Sequence, residues 1–162
     1  MRLYKKALCV LLILQILFLL VACGKSEIAY SADGMTITMD EGFEVSEYYG
    51  MTYYDSEDVQ VYVAKEEFSV LEEKGEEIDM DLEEYADFLL KSISITAEIK
   101  TEDGLTYFEY SKTPESVQYC YFVTVHKTAD AFWYFTFTCE ESLISEYRPR
   151  FEKWARSIVF DI

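Results

Sequence analysis

Between Val117 and Cys139 the chain alternates residue by residue around one short break, and that pattern leaves few folds open to it. Val117 to Lys127 and Phe132 to Cys139 are rich in β-branched and aromatic residues, which suit a pleated, packed surface. With Ala129-Asp130 as a two-residue loop, Thr128 pairs with Ala131 and the register follows along both strands. Cys120 then faces Cys139, Phe122 faces Phe137, Thr124 faces Phe135, and His126 faces Trp133. That face belongs in a core. The opposite face carries Tyr119, Tyr121, Val123, Val125, Tyr134 and Thr136, which is also too apolar to stand bare in water. The pattern therefore predicts an α+β domain whose antiparallel β-sheet is flanked by helices on both faces.

The remaining segments supply the other layers. Met35 to Met39 alternates and reads as a strand that stops at the turn Asp40-Glu41-Gly42, after which Phe43-Glu44-Val45 continues extended. Tyr48 to Asp58 has no decisive period, although Tyr53-Tyr54 can pair, and Val59 to Ala64 is a strand. The acidic stretch from Glu72 to Asp79 is expected to form a loop or a frayed turn. Asp81 can cap a helix with Glu84 three residues on, and Leu82, Tyr85, Ala86, Leu89 and Ile93 then recur on one face to about Ser94. Ala97 to Lys100 and Leu105 to Ser111 predict a hairpin around Glu102-Asp103-Gly104. Pro149 to Ser157 predicts a closing helix with proline near its first turn, and Phe151, Trp154 and Ile158 on one face.

Charge narrows the function. The formal net charge is −17, and between Glu66 and Asp87 the only basic residue is Lys74. Such a field repels nucleic acid and attracts basic proteins or divalent cations. The single histidine, His126, falls on the predicted core face, where a structural role is expected rather than a catalytic one. No Gly-x-Ser-x-Gly elbow is present, and one histidine with two facing cysteines does not supply a zinc set. Asp79 begins like a calcium loop, but Glu84 stands where glycine is needed and Leu90 where the closing glutamate is needed. No catalytic residue, metal or cofactor is therefore expected. The candidate contact residues are the tyrosines Tyr48, Tyr49, Tyr53 and Tyr54 and the acidic residues Glu72, Glu73, Glu76 and Glu77. These fit a protein partner, basic if the acidic face binds it. The alternative is a glycan, bound or processed in an acidic and aromatic cleft.

Several turn and packing segments occur in a telling order. They are Gly42-Phe43-Glu44-Val45, Leu82-Glu83-Glu84-Tyr85, Asp103-Gly104 before an aromatic strand, Tyr147-Arg148-Pro149-Arg150-Phe151, and Ser157-Ile158-Val159-Phe160. In this the chain resembles the PsbP fold, named for an extrinsic protein of photosystem II and shared with a yeast Ran-binding factor of nuclear transport. The resemblance implies an α/β/α sandwich over nearly the whole mature chain, and a role in binding proteins rather than in catalysis. It carries over no metal or chloride site, because no matching ligand motif is present.

The amino terminus concerns location. Arg2, Lys5 and Lys6 precede an apolar run from Ala7 to Ala22, interrupted only by Gln15. Sixteen residues of helix reach ~24 Å, short of the ~30 Å hydrocarbon core, so a cleaved export signal fits better than a membrane span. Leu20-Val21-Ala22-Cys23 resembles the lipobox of bacterial lipoproteins. The resemblance implies diacylation of Cys23, cleavage before it, and a domain held to the cell membrane on its extracytoplasmic face. The expected organisation is a signal over 1–22, a tether over 23–34 and one domain over 35–162. Cys120 and Cys139 are then the thiols left outside the cytoplasm, and they form either a disulfide worth ~3 kcal/mol or two buried thiols side by side. Replacing Cys23 with alanine should release the protein from membranes or leave it unprocessed. Complete partitioning of Cys23→Ala into detergent at the mature size would overturn the lipobox reading.

Overall fold

The computed structural model describes residues 26–161; the expected signal segment and Cys23 lie outside them. Ten antiparallel strands form two sheets. The larger runs β3-β4-β5-β9-β8-β7-β6, built from β3 (Glu44–Tyr48), β4 (Met51–Asp55), β5 (Val59–Glu67), β6 (Ile99–Glu102), β7 (Leu105–Lys112), β8 (Tyr119–Lys127) and β9 (Ala131–Glu140). The smaller runs β1-β2-β10, with β1 (Glu27–Ala32), β2 (Met35–Asp40) and β10 (Val159–Phe160). Three helices, α1 (Phe68–Glu73), α2 (Leu82–Ser92) and α3 (Ile144–Arg156), pack against the larger sheet. Among the described residues no helix is long and apolar enough to cross a membrane.

The β8–β9 register is the expected one, with Cys120 opposite Cys139, Phe122 opposite Phe137, Thr124 opposite Phe135 and His126 opposite Trp133. The Thr128 and Glu141 amides donate to the carbonyls of Ala131 and Gln118 at 2.9 Å, closing the ladder at both ends. This register sorts side chains into two cores. On one face Val61, Phe122, Phe135 and Phe137 meet Phe151 and Trp154 of α3 and Ile37 and Met39 of β2. On the other, Phe108, Val123, Val125 and Phe132 meet Tyr85, Ala86, Leu89 and Leu90 of α2. Tyr85 stacks on Phe132 with centroids 4.2 Å apart. Helix α2 starts with the expected capping box, in which the Asp81 carboxylate accepts from the Glu83 and Glu84 amides and the Asp81 amide donates to Glu84.

Four expectations change. Residues Glu27–Ala32 are a strand and not part of a tether: Tyr30 is buried, its hydroxyl donates to the Asp40 carbonyl at 3.1 Å and accepts from the Phe43 amide at 3.2 Å, and its ring meets Tyr54 edge-on. The acidic stretch after Glu72 is only partly loop, because Glu72 and Glu73 end α1, held down by buried Leu71. The Tyr48–Asp58 region resolves into a β3–β4 hairpin, in which Tyr49 and Gly50 both take positive φ (51° and 74°) as a two-residue turn demands. Helix α3 begins at Ile144, five residues before Pro149. The proline is tolerated inside it because both it and Ser145, whose carbonyl would have taken the missing N–H, face water.

The place of Tyr30 yields a direct test. Truncating this buried aromatic should cost about 3 kcal/mol in urea unfolding; an unchanged midpoint for Tyr30→Ala would mean that the segment is a tether after all.

Candidate functional site

The two faces of the larger sheet are covered unequally. Helix α3 and the small sheet seal one face from Tyr54 to Leu105. On the other, α2 lies over β6, β7 and β8, and α1 lies over the end of β5. The strand register brings tyrosines from five strands onto this face, from the edge of the α2 core outward: Tyr53 on β4, Tyr62 on β5, Tyr134 on β9, Tyr119 and Tyr121 on β8, and Tyr110 on β7. All six are half-buried. Their rings form a discontinuous strip, Tyr53 to Tyr62 at 5.9 Å, Tyr62 to Tyr134 edge-on at 6.0 Å, and Tyr110 stacked flat on Tyr121 at 4.6 Å. Tyr110 and Tyr134 lean on the α2 core, while Tyr53, Tyr62, Tyr119 and Tyr121 run beyond it.

Burial raises the phenol pKa of Tyr62, Tyr110, Tyr121 and Tyr134, so these groups stay neutral at physiological pH. The strip offers aromatic faces and hydroxyl donors, a chemistry of stacking, cation–π contact and hydrogen bonding. Two depressions end it. One, of about 530 Å³, lies by the Tyr49-Gly50 turn and α1; the other, of about 390 Å³, lies by the Asp55–Asp58 loop.

The four tyrosines singled out from the sequence do not stay together. Tyr48 and Tyr49 stand exposed at the β3–β4 turn with rings 4.2 Å apart, and Tyr53 joins the strip. Tyr54 is only 1% exposed, inside the core, and is withdrawn as a contact residue. Of the acidic candidates, Glu72 and Glu73 are exposed on α1, and Glu76 and Glu77 rim a shallow depression with Glu84, Asp87 and Lys91. The acidic stretch and the tyrosine strip are thus separate surfaces. Alternation shows the outward parity of Tyr119, Tyr121 and Tyr134, but only the registers of β4, β5 and β7 bring Tyr53, Tyr62 and Tyr110 beside them.

Cys120 and Cys139 face each other as free thiols, without a disulfide. The Cys120 sulfur lies 3.5 Å from the Ser111 hydroxyl on the neighbouring strand. Burial pushes the Cys139 thiol up to about 12, the reverse of what a nucleophile needs. Among the described residues no three His, Cys, Asp or Glu side chains gather as metal ligands.

The fold has solved counterparts. It is similar to the solution structure of cyanobacterial PsbP (CyanoP) from Synechocystis sp. PCC 6803, at 16% identity and a TM-score of 0.57, over 86% of this chain and 95% of that one. It is also similar to a crystal structure from Bacteroides thetaiotaomicron VPI-5482, at 8% identity and a TM-score of 0.57, over 84% of this chain and 48% of that one. No family model and no curated protein matches the chain. The chain has the PsbP-like sandwich fold.

His126 lies on the sealed face, its ring edge-on to Phe135 at 5.5 Å and to Phe160 at 5.6 Å, with Nε2 3.4 Å from the Thr124 hydroxyl. Burial lowers its pKa to about 4. A histidine whose folded pKa lies below its unfolded value stabilises the fold fully above about 6.5, and that contribution is lost as pH falls through 4. Relative to His126→Gln, the native protein should lose about 3 kcal/mol between pH 6.5 and 4. Parallel stability curves for the two proteins would show that the ring is not buried neutral.

Proposed function

We propose that this chain is a lipid-anchored lipoprotein of the extracytoplasmic membrane face, acting as a non-catalytic binding or assembly module whose contact surface is the tyrosine strip. One observation carries the reading: Tyr53, Tyr62, Tyr119 and Tyr121 lie half-buried on one face of the larger sheet, beyond the core built on α2. A soluble domain gains little by leaving such a face wet, whereas tyrosine is enriched where a surface alternates between water and a partner. Tyrosine also loses little side-chain entropy on docking, having two rotatable bonds. The anchoring rests on the resemblance of Leu20-Val21-Ala22-Cys23 to a lipobox. The likeness to cyanobacterial PsbP supports a binding role in the same measure as the resemblance drawn from the sequence.

The partner is sought by crosslinking the tagged, lipidated protein in its native membrane and identifying adducts by mass spectrometry. One dominant protein should be captured, and Tyr62→Ser/Tyr121→Ser should reduce its yield about tenfold while circular dichroism stays native. Glu72→Gln/Glu73→Gln, on the separate acidic surface, should leave capture within about twofold. Glycan or small molecule without a protein, or equal loss in both variants, would overturn the proposal.

A further inference from the structure

The strip ends in the 390 Å³ depression between the Asp55–Asp58 loop and the ends of β8 and β9. Tyr62, Tyr119 and Tyr121 line it together with Asp55, Glu57 and Asp58, and no lysine or arginine does. We infer that it receives a lysine or arginine side chain from an extended segment of a basic protein partner. This rests on the reading of the tyrosine strip as a contact surface and names what that surface recognises.

Three features point to a cationic side chain. The first is unmatched charge. Asp55 accepts from the Gln60 amide at 2.7 Å and Asp58 from the Tyr147 hydroxyl at 2.9 Å, so both carboxylates are held by neutral donors, and Glu57 is exposed. Among the described residues none of the three joins an ion pair, and what sets them apart from the chain's other unpaired carboxylates is that they line one depression with three tyrosines. The second is the aromatic lining, since a cation held by the carboxylates also meets the electron-rich ring faces. The chain already makes this contact beside the depression: the Lys112 ammonium stands 5.6 Å over Tyr110, whose ring stacks on Tyr121. The third bears on the rival cation. Asp55, Glu57 and Asp58 do not gather as a ligand set for a metal ion. A guanidinium or ammonium needs no such convergence, because it satisfies carboxylates and rings on different sides at once.

The test measures fluorescence anisotropy of a labelled, glycine-spaced triarginine peptide against the lipidated protein in neutral detergent. A peptide with citrulline at each arginine keeps the shape and removes the charge. The arginine peptide should bind, weaken as salt rises from 25 to 150 mM, and bind at least about tenfold more tightly than the citrulline peptide. Glu57→Gln and Tyr121→Leu should each weaken it about fivefold, and Glu72→Gln less than twofold. Equal weakening by Glu57→Gln and Glu72→Gln would reduce the effect to the general negative field and overturn the inference. So would equal binding of the two peptides. If the peptide fails while Tyr62→Ser/Tyr121→Ser still abolishes partner capture, the cationic recognition falls and the contact surface stands. Failure of both removes both.

Discussion

A slip of one residue between β8 and β9 would exchange the two faces of one strand relative to the other, because side chains alternate with a period of two. Either Phe122 would leave the core built on α3 while Val123 and Val125 left the core built on α2, or Phe135 and Phe137 would leave the α3 core and Phe132 the α2 core. The pairing is held at the turn by the Thr128–Ala131 bond and at the far end by the Glu141 amide on the Gln118 carbonyl. Between them a row of aromatics tolerates no other partner, with Phe122 and Phe137 meeting edge-on at 6.0 Å and Phe137 stacking on Phe151 at 5.5 Å. The neighbours inherit that choice of faces, since β5 pairs with β9 and β7 with β8. The faces of Tyr119, Tyr121 and Tyr134 follow from this register, and the flanking registers set Tyr53, Tyr62 and Tyr110 beside them.

The sealed face is fixed by more than apolar contact. The Arg148 guanidinium forks onto Glu109 of β7 at 2.8 and 3.3 Å while lying over the rings of Tyr107 and Phe122, which ties α3 to the sheet at a set height. On the other side Lys127 donates to the Ile78 and Met80 carbonyls and sits over Phe132, so the segment entering α2 is pinned at the β8 end. That pin holds α2 toward the turn end of the hairpin. The opposite end of β8, with Tyr119 and Tyr121, is left without a helix above it. The anchor that sets α2 over one end of this face therefore decides which end of the same face stays open.

What could be read from the sequence was what repeats locally. The β8–β9 hairpin, the capped α2 and the Asp103-Gly104 turn each carry their signal within a few residues, and the layered class follows from a hairpin apolar on both faces. In the small sheet only β2 carries such a signal, because β10 has two residues and β1 buries only Tyr30, too few for a period. The start of α3 was hidden by Pro149, which suggests a helix end unless the facing carbonyl at Ser145 is known to be wet. The tyrosines near residue 50 looked like one cluster because they are close in sequence, and alternation then sent Tyr53 and Tyr54 to opposite faces. The strip that replaces them needs registers across five strands. Facing cysteines were legible for the same reason as the hairpin, but the contact of the Cys120 sulfur with Ser111 needs the register of a third strand.

Strand β3 sharpens what the charge is for. It is an edge whose five residues are all exposed, with Val45 and Tyr48 among them, and it adjoins the open tyrosine strip. A free edge beside an aromatic face invites pairing with a second copy, the hazard that edge strands bring. Glu44 and Glu47 on that edge, within a chain of net charge −17, oppose approach by an identical molecule. The same field favours a positively charged one. Charge that looks excessive for solubility alone thus gives the surface a direction, opposing the approach of identical copies while leaving the tyrosines open to the basic partner proposed above.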